Sequence, residues 1–282
     1  MIDLHMHSTA SDGLLSPEDL VHQAVKTGLT TISLTDHDTI DGIPAAVQAA
    51  QVAGITLLSG VELSVAMGDY RDVHMLGYGI DGANHTLTTA LHAFADARAQ
   101  RSGAILDRIN QRLTEEGRQT LSPQEVTQQA AGVLGRPHIG RALMARGYVS
   151  SMEEAFTLYL RPCNVPKYYW DWREALQTIH AAGGIAVLAH PVTITRNLDE
   201  LQTLVDQMAH GGLDGVEVFN STALEHEAQY LQNCALSRGL VITAGSDFHG
   251  EEGPVRLGYG RSGMRFSEAL MPPILERLQR YN

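Results

Sequence analysis

His5 and His7 stand two apart near the start of the 282-residue chain, and Asp12 follows after a short polar run. On a β-strand side chains alternate faces, so this spacing points both imidazoles one way and Met6 the other. Two imidazoles and a carboxylate where a strand turns into a loop begin a metal site, but a cation needs more ligands than these three. Further along, His37, Glu62, His190, Asp247 and His249 fall at or just past the ends of apolar, β-branched runs, and His74 falls within one. Six imidazoles and three carboxylates exceed what one ion takes. Because a carboxylate can bridge two ions, the inventory suits a cluster of two or three. Any one of these histidines alone would be read as a satisfied polar residue; their joint placement carries the reading. His22, His85, His92, His180, His210 and His226 fall on helices and loops, are read as surface or helix-face residues and are assigned no role. Asp3, Asp36 and Asp38, beside the candidate ligands, are read either as hydrogen-bond partners of the imidazoles or as having no part.

The elements that must position these groups are legible from periodicity and capping. Ser16-Pro17-Glu18-Asp19 reads as an N-cap, a proline at the first helical position and acids at the positive helix end. Strands are predicted around His5 and His7 and over 29–34, 55–62, 72–78, 185–189, 215–219 and 240–244, with helices between most of them. The rhythm breaks over 85–169, where the signals are helical. A long helix is expected over 86–116, broken or bent near Gly103, and three shorter ones open at Ser122, Gly135 and Ser151. A final helix over 270–280 is expected to be irregular at Pro272-Pro273. The expected fold class is α/β: a distorted seven-stranded β/α barrel over 1–84 and 170–282, with a helical cap inserted over 85–169. In a parallel barrel the C-terminal strand ends share one face, and chemistry sits there.

Composition excludes several classes. A net charge of −12 weighs against gripping duplex nucleic acid, an affinity that comes from neutralising many phosphates. No apolar run approaches a membrane span, and the N-terminus lacks the pattern of a secretory leader, so the cytoplasm is the expected compartment with no membrane partner. Cys163 and Cys234 do not suggest a disulfide framework. Apart from Lys26 and Lys167 the 20 basic residues are arginines, whose planar fork suits bidentate phosphate contact. The sequence does not set the oligomeric state.

Taken together, His5-Met6-His7, Thr35-Asp36-His37-Asp38, Gly60-Val61-Glu62, Ala189-His190-Pro191 and Gly245-Ser246-Asp247-Phe248-His249 resemble the PHP (polymerase and histidinol phosphatase) family of amidohydrolase-like metallohydrolases. The resemblance implies a centre of up to three Mn2+ ions, with Zn2+ or Fe2+ as alternatives. It assigns His5, His7, Glu62 and Asp247 to one ion, Glu62, His74 and His190 to a second, and Asp12, His37 and His249 to the third. Asp12, His37 and His249 are also the expected catalytic residues, with His37 or His249 the candidate leaving-group acid. Some members carry His where this chain has Asp12.

The insertion is similar to that of the branch containing a 3′,5′-nucleoside bisphosphate phosphatase and short-oligonucleotide 5′-exonucleases. The matching features are Arg98, Arg101 and Gly135-Arg136-Pro137-His138-Ile139. The implied reaction is metal-assisted removal of a 3′-phosphate, leaving a nucleoside 5′-monophosphate, with no covalent enzyme intermediate. Read from the residues alone, Arg98 and Arg101 share a helix face, and Arg136 and His138 open a helix whose start favours anions. Lys167 and Tyr168 begin a cation-aromatic run able to hold a base. These six are the candidate substrate contacts, for a small nucleotide bisphosphate with one phosphate on the ions and the other on the arginines. The alternatives are a 5′-to-3′ exonuclease on short 5′-phosphorylated oligoribonucleotides, a histidinol-phosphate phosphatase and a non-catalytic PHP module.

Overall fold

A computed structural model describes residues 1–128, 135–250 and 254–281. The chain divides into two compact units, Met1–Ala90 with Tyr169–Asn282, and Leu91–Tyr168.

The first unit is built on a nearly closed sheet. In chain order it contains β1 (Ile2–Asp3), α1 (Pro17–Thr27), β2 (Thr31–Leu34), α2 (Ile43–Ala53), β3 (Thr56–Met67) and β4 (Tyr70–Tyr78). A 31-residue helix, α3 (His85–Glu115), then begins. After the second unit come β5 (Trp170–Asp171), α7 (Trp172–Ala181), β6 (Ile185–Leu188), α8 (Leu198–His210), β7 (Gly215–Phe219), α9 (Glu225–Ser237), β8 (Val241–Ala244) and α10 (Met271–Leu278). Hydrogen bonding orders the sheet β1-β2-β3-β4-β6-β7-β8, with the two-residue β5 pairing off-path to β3. Closure comes from the chain beyond β1. Leu4 N–H donates to Ala244 O, His7 N–H to Phe248 O and Asp247 N–H to His5 O.

Three expectations about this unit need correction. β1 ends at Asp3, so His5 and His7 lie beyond the regular strand. The alternation holds all the same, because bonds to the β8 exit and from Thr35 N–H to Met6 O keep the backbone extended. Met6 therefore packs among Leu20, Leu34 and Phe248, while both imidazoles turn the other way. Second, the barrel is not all parallel: β4 runs antiparallel to both β3 and β6. β3 continues five residues past Glu62 and returns through Gly68-Asp69, with Gly68 at φ +58° where a tight hairpin needs a glycine. His74 thus enters opposite Ser64 on a strand of reversed direction. Third, Pro272 and Pro273 lie in the first turn of α10, where a missing N–H costs nothing, and the helix is regular.

The second unit carries the rest of α3 and then α4 (Pro123–Thr127), α5 (Arg136–Ala145) and α6 (Met152–Ala155), followed by one π-turn, Phe156–Leu160. α3 passes through Gly103 without a break. Ser122 and Glu125 close the expected capping box on α4, each satisfying the other's N–H. The unit has its own apolar cluster, including Ile105, Ile109, Leu113, Ile139, Leu143 and Leu160.

Candidate metal centre

Glu62 lies at the middle of the candidate centre. Its side chain is fully buried, and five imidazoles surround it. Oε2 lies 3.1 Å from His5 Nε2, 3.2 Å from His7 Nε2 and 3.0 Å from His37 Nδ1. Oε1 lies 2.9 Å from His74 Nδ1 and 3.0 Å from His190 Nε2. β3 places Glu62 there from the sheet, and the other candidate ligands come from the exits of β1, β2, β6 and β8 and from β4. Asp247 Oδ1 approaches His7 Nε2 at 3.1 Å and His5 Nε2 at 3.4 Å. Asp12 completes the outer edge, 3.3 Å from His249 Nε2 and 3.8 Å from His37 Nε2.

Ligand atoms gather into three groups, each within 4.8 Å: His5, His7, Glu62 and Asp247; His37, Glu62 and His74; and His7, Asp12, His37 and His249. The groups hold eight of the nine candidate ligands read from the sequence; the ninth, His190, falls in none of them but approaches Glu62 Oε1 at 3.0 Å. The groups differ in access. His5, His7 and Glu62 have no exposed side-chain surface, whereas Asp12 is 48% exposed.

The residues present fit divalent ions. His5 Nε2, both ring nitrogens of His7, His37 Nδ1, His74 Nδ1 and Glu62 Oε2 are buried without a hydrogen-bond partner among the described residues. A buried polar atom left unmatched costs about 1–3 kcal/mol. Six of them within one cluster call for an occupant, and imidazole with carboxylate is the donor set of Mn2+, Fe2+ or Zn2+.

Three rings are anchored through their other nitrogen. His190 Nδ1 lies 2.9 Å from Thr193 Oγ1, whose proton goes to His190 O, so Nδ1–H donates and Nε2 keeps its lone pair. His249 Nδ1 donates to Asp247 O in the same way. His5 Nδ1 donates to Glu217 Oε1 at 2.9 Å, and Glu217 Oε2 accepts from His190 N–H. Glu217, fully buried on β7, was not among the candidates read from the sequence. Its signal was an acid inside an otherwise apolar strand.

The three aspartates beside the ligands hold loops. Asp3 accepts from the N–H groups of His5, Ser246 and Gly258; Asp36 from Ser8 N–H and the Ser8 and Ser11 hydroxyls; Asp38 from Ser64 N–H and Oγ. Two candidate ligands sit in strained backbone, His190 at φ +25° and Asp247 at φ +59°. Gly245 permits the close approach there, since a Cβ on it would meet His5 Cβ at 2.2 Å.

Mutual charge dominates the electrostatics. Burial pushes the Glu62 carboxyl up, but His37, His5 and His74 outweigh it and hold the group well below the usual carboxylate range. Asp247 is lowered against burial by His5 and His7, and Asp12 by His249, His37 and His7. His7 resists burial because the Asp247 and Glu62 carboxylates face it, and is raised to about 10. His74 goes the other way, because burial prevails.

In the helical unit, Arg101 donates from Nε to Val165 O at 2.8 Å and from Nη2 to Asn164 Oδ1 at 2.9 Å. Arg136 reaches the same Asn164 oxygen at 3.5 Å and lies over the Phe156 ring. His138 is buried and accepts Gly135 N–H on Nδ1, capping α5. Tyr168 is 56% exposed and packs on Phe94. Arg98 and Lys167 are half-buried. Among the histidines assigned no role, His180 is paired with the buried Asp214 at 2.7 Å and stacked on Tyr281.

The PHP domain profile matches residues 3–209. A 5′-3′ exoribonuclease of Haemophilus influenzae is 36% identical over 262 residues, covering 91% of this chain and 92% of the relative. A 3′,5′-nucleoside bisphosphate phosphatase of Chromobacterium violaceum is 33% identical, with 88% and 87% covered. Among solved structures, a protein from Bifidobacterium adolescentis assigned as a metal-dependent phosphoesterase superposes with a TM-score of 0.83 at 30% identity, covering 98% of this chain and 96% of the other.

Proposed function

The chain belongs to the PHP domain family and is a metal-dependent phosphoesterase, and from that premise we propose that it hydrolyses the 3′-phosphate of nucleoside 3′,5′-bisphosphates. The observation that carries the reaction class is Glu62 with its five imidazoles and their unmatched buried atoms. His5, His7, Glu62 and Asp247 would hold one divalent ion, Glu62, His74 and His190 a second, and Asp12, His37 and His249 a third. Ions held there supply Lewis acidity toward a phosphate oxygen and lower the pKa of water.

The protein's own groups do the rest. Glu62, Asp247 and Asp12 stay ionised at neutral pH, so the site keeps the negative charge that divalent ions require. Thr193 and the Asp247 carbonyl hold the His190 and His249 rings so that each presents Nε2. Asp12 and His249, at the exposed edge, would meet a substrate first, and His249 or His37 is the proposed proton donor to the leaving oxygen. Arg101 and Arg136, converging on Asn164, suit a second anionic group, with Arg98, His138, Lys167 and Tyr168 as further proposed contacts.

The runner-up is 5′-to-3′ cleavage of short 5′-phosphorylated RNA, favoured by the identity to the Haemophilus influenzae exoribonuclease. One experiment separates them. Adenosine 3′,5′-bisphosphate should give phosphate and the 5′-monophosphate faster than a short 5′-phosphorylated RNA gives mononucleotides. The reverse order selects the exonuclease, and equal release from any simple monoester removes the two-phosphate specificity.

A further inference from the structure

We infer that Glu217 is a positioning residue that couples two of the proposed ion sites, by fixing which nitrogen His5 presents to one and where the backbone carries His190 for the other. The inference rests on the metal-site reading above.

Glu217 lies within β7, fully buried, and takes no place among the ligand groups. Its two oxygens serve two arms of the centre. Oε1 takes His5 Nδ1–H at 2.9 Å, and Oε2 takes the main-chain N–H of His190 at 2.9 Å. A carboxylate offers only acceptors, so Nδ1 of His5 must carry the proton and Nε2 keeps the lone pair. That Nε2 is the atom facing Glu62 and Asp247. The second oxygen steadies a residue at φ +25°, a backbone state that side chains rarely adopt without support. Gly245 closes the space around the carboxylate, since a Cβ there would fall 2.8 Å from Oε1. One side chain thus sets the tautomer of a ligand to the first ion and the path of a ligand to the second.

The substitution that tests this is Glu217→Gln, which keeps size and shape but replaces one acceptor with a donor. The His190 N–H cannot change its role, so the amide oxygen goes to it. The NH2 then faces His5 Nδ1 and drives that ring to the Nε2–H tautomer, which cannot ligate. Metal-free wild type and E217Q are titrated with Mn2+ and bound ion per chain is counted, with thermal unfolding of the metal-free forms alongside. The expected result is a loss of about 10–100-fold in affinity for one ion, the scale of lost outer hydrogen bonds, with metal-free unfolding close to wild type. Identical titrations overturn the inference while leaving the metal reading intact; no uptake by wild type overturns both. Should E217Q fail to fold, the wild-type protein decides: with 15N-labelled histidine and bound Zn2+, His5 must show a protonated Nδ1 and a metal-bound Nε2. The opposite assignment overturns the inference.

Discussion

The barrel unit and the helical unit treat their charged residues in opposite ways. In the barrel, imidazoles and carboxylates are packed against one another out of water, and six of their buried atoms find no hydrogen-bond partner among the described residues. In the helical unit the arginines are half-buried or exposed: Arg101 and Arg136 rest on main-chain and amide oxygens at Asn164 and Val165, while Arg112, Arg118 and Arg146 pair with Glu116 and Glu125 at the surface. A desolvated, unmatched ligand atom is costly, so the barrel arrangement demands an occupant. A half-solvated arginine costs little to hold in place, so the helical arrangement demands nothing and is free to serve selection.

That contrast can be broken most forcefully at its centre. Glu62→Gln removes the charge shared by five imidazoles; phosphate release should fall on the order of 10³-fold or more, with bound metal lost by element analysis. Retained metal with retained rate would end the contrast. His190→Ala removes one ligand, so about 10²-fold in kcat and a drop in bound metal are expected. Arg136→Ala sharpens the other side. Metal content and kcat should hold while KM for a nucleotide bisphosphate rises about 10-fold, the scale of a charged hydrogen bond. A metal loss there would mean that the two units do not divide the work. The smallest effect lies in the barrel unit outside the ligand set, at Glu227, buried and paired to Arg196 through both oxygens, at 2.6 and 2.8 Å. Burial pushes its carboxyl up, but Leu224 N–H and Arg196 prevail and lower it. A carboxyl lowered in the folded state adds stability above the ordinary carboxylate range and loses it as pH falls through the folded value. Glu227→Gln should therefore cost about 1–3 kcal/mol at pH 7, read as a lower Tm, with the two melting curves converging in acid and metal content unchanged.

The clustering of the candidate ligands was legible because their chemistry stands at strand exits, and periodicity finds strands. His5 and His7 face one way with Met6 opposite because alternation needs only an extended backbone, which survived the early end of β1. The direction of β4 was missed although Gly68-Asp69, between two strand-like runs, carries the hairpin signal. Gly103 suggested a break that the structure lacks; a Cβ there would meet nothing within 4 Å, so the helix has no packing reason to end. Glu217 escaped because its partners, His5 and the His190 N–H, are 212 and 27 residues away and no local pattern announces them. The arginine contacts were illegible for the same reason: Asn164 lies 63 residues from Arg101. Asp3, Asp36 and Asp38 could be flagged by adjacency, but their clients are amides and hydroxyls, which sequence does not point at.

The steep rise in exposure from Glu62 to Asp12 has a consequence for how such a centre fills and drains. Ions would settle into the deepest cradle first and leave it last, while the outermost one trades with the surrounding medium. A mild chelator should then strip the protein in stages, silencing turnover at the rim long before the innermost ion departs.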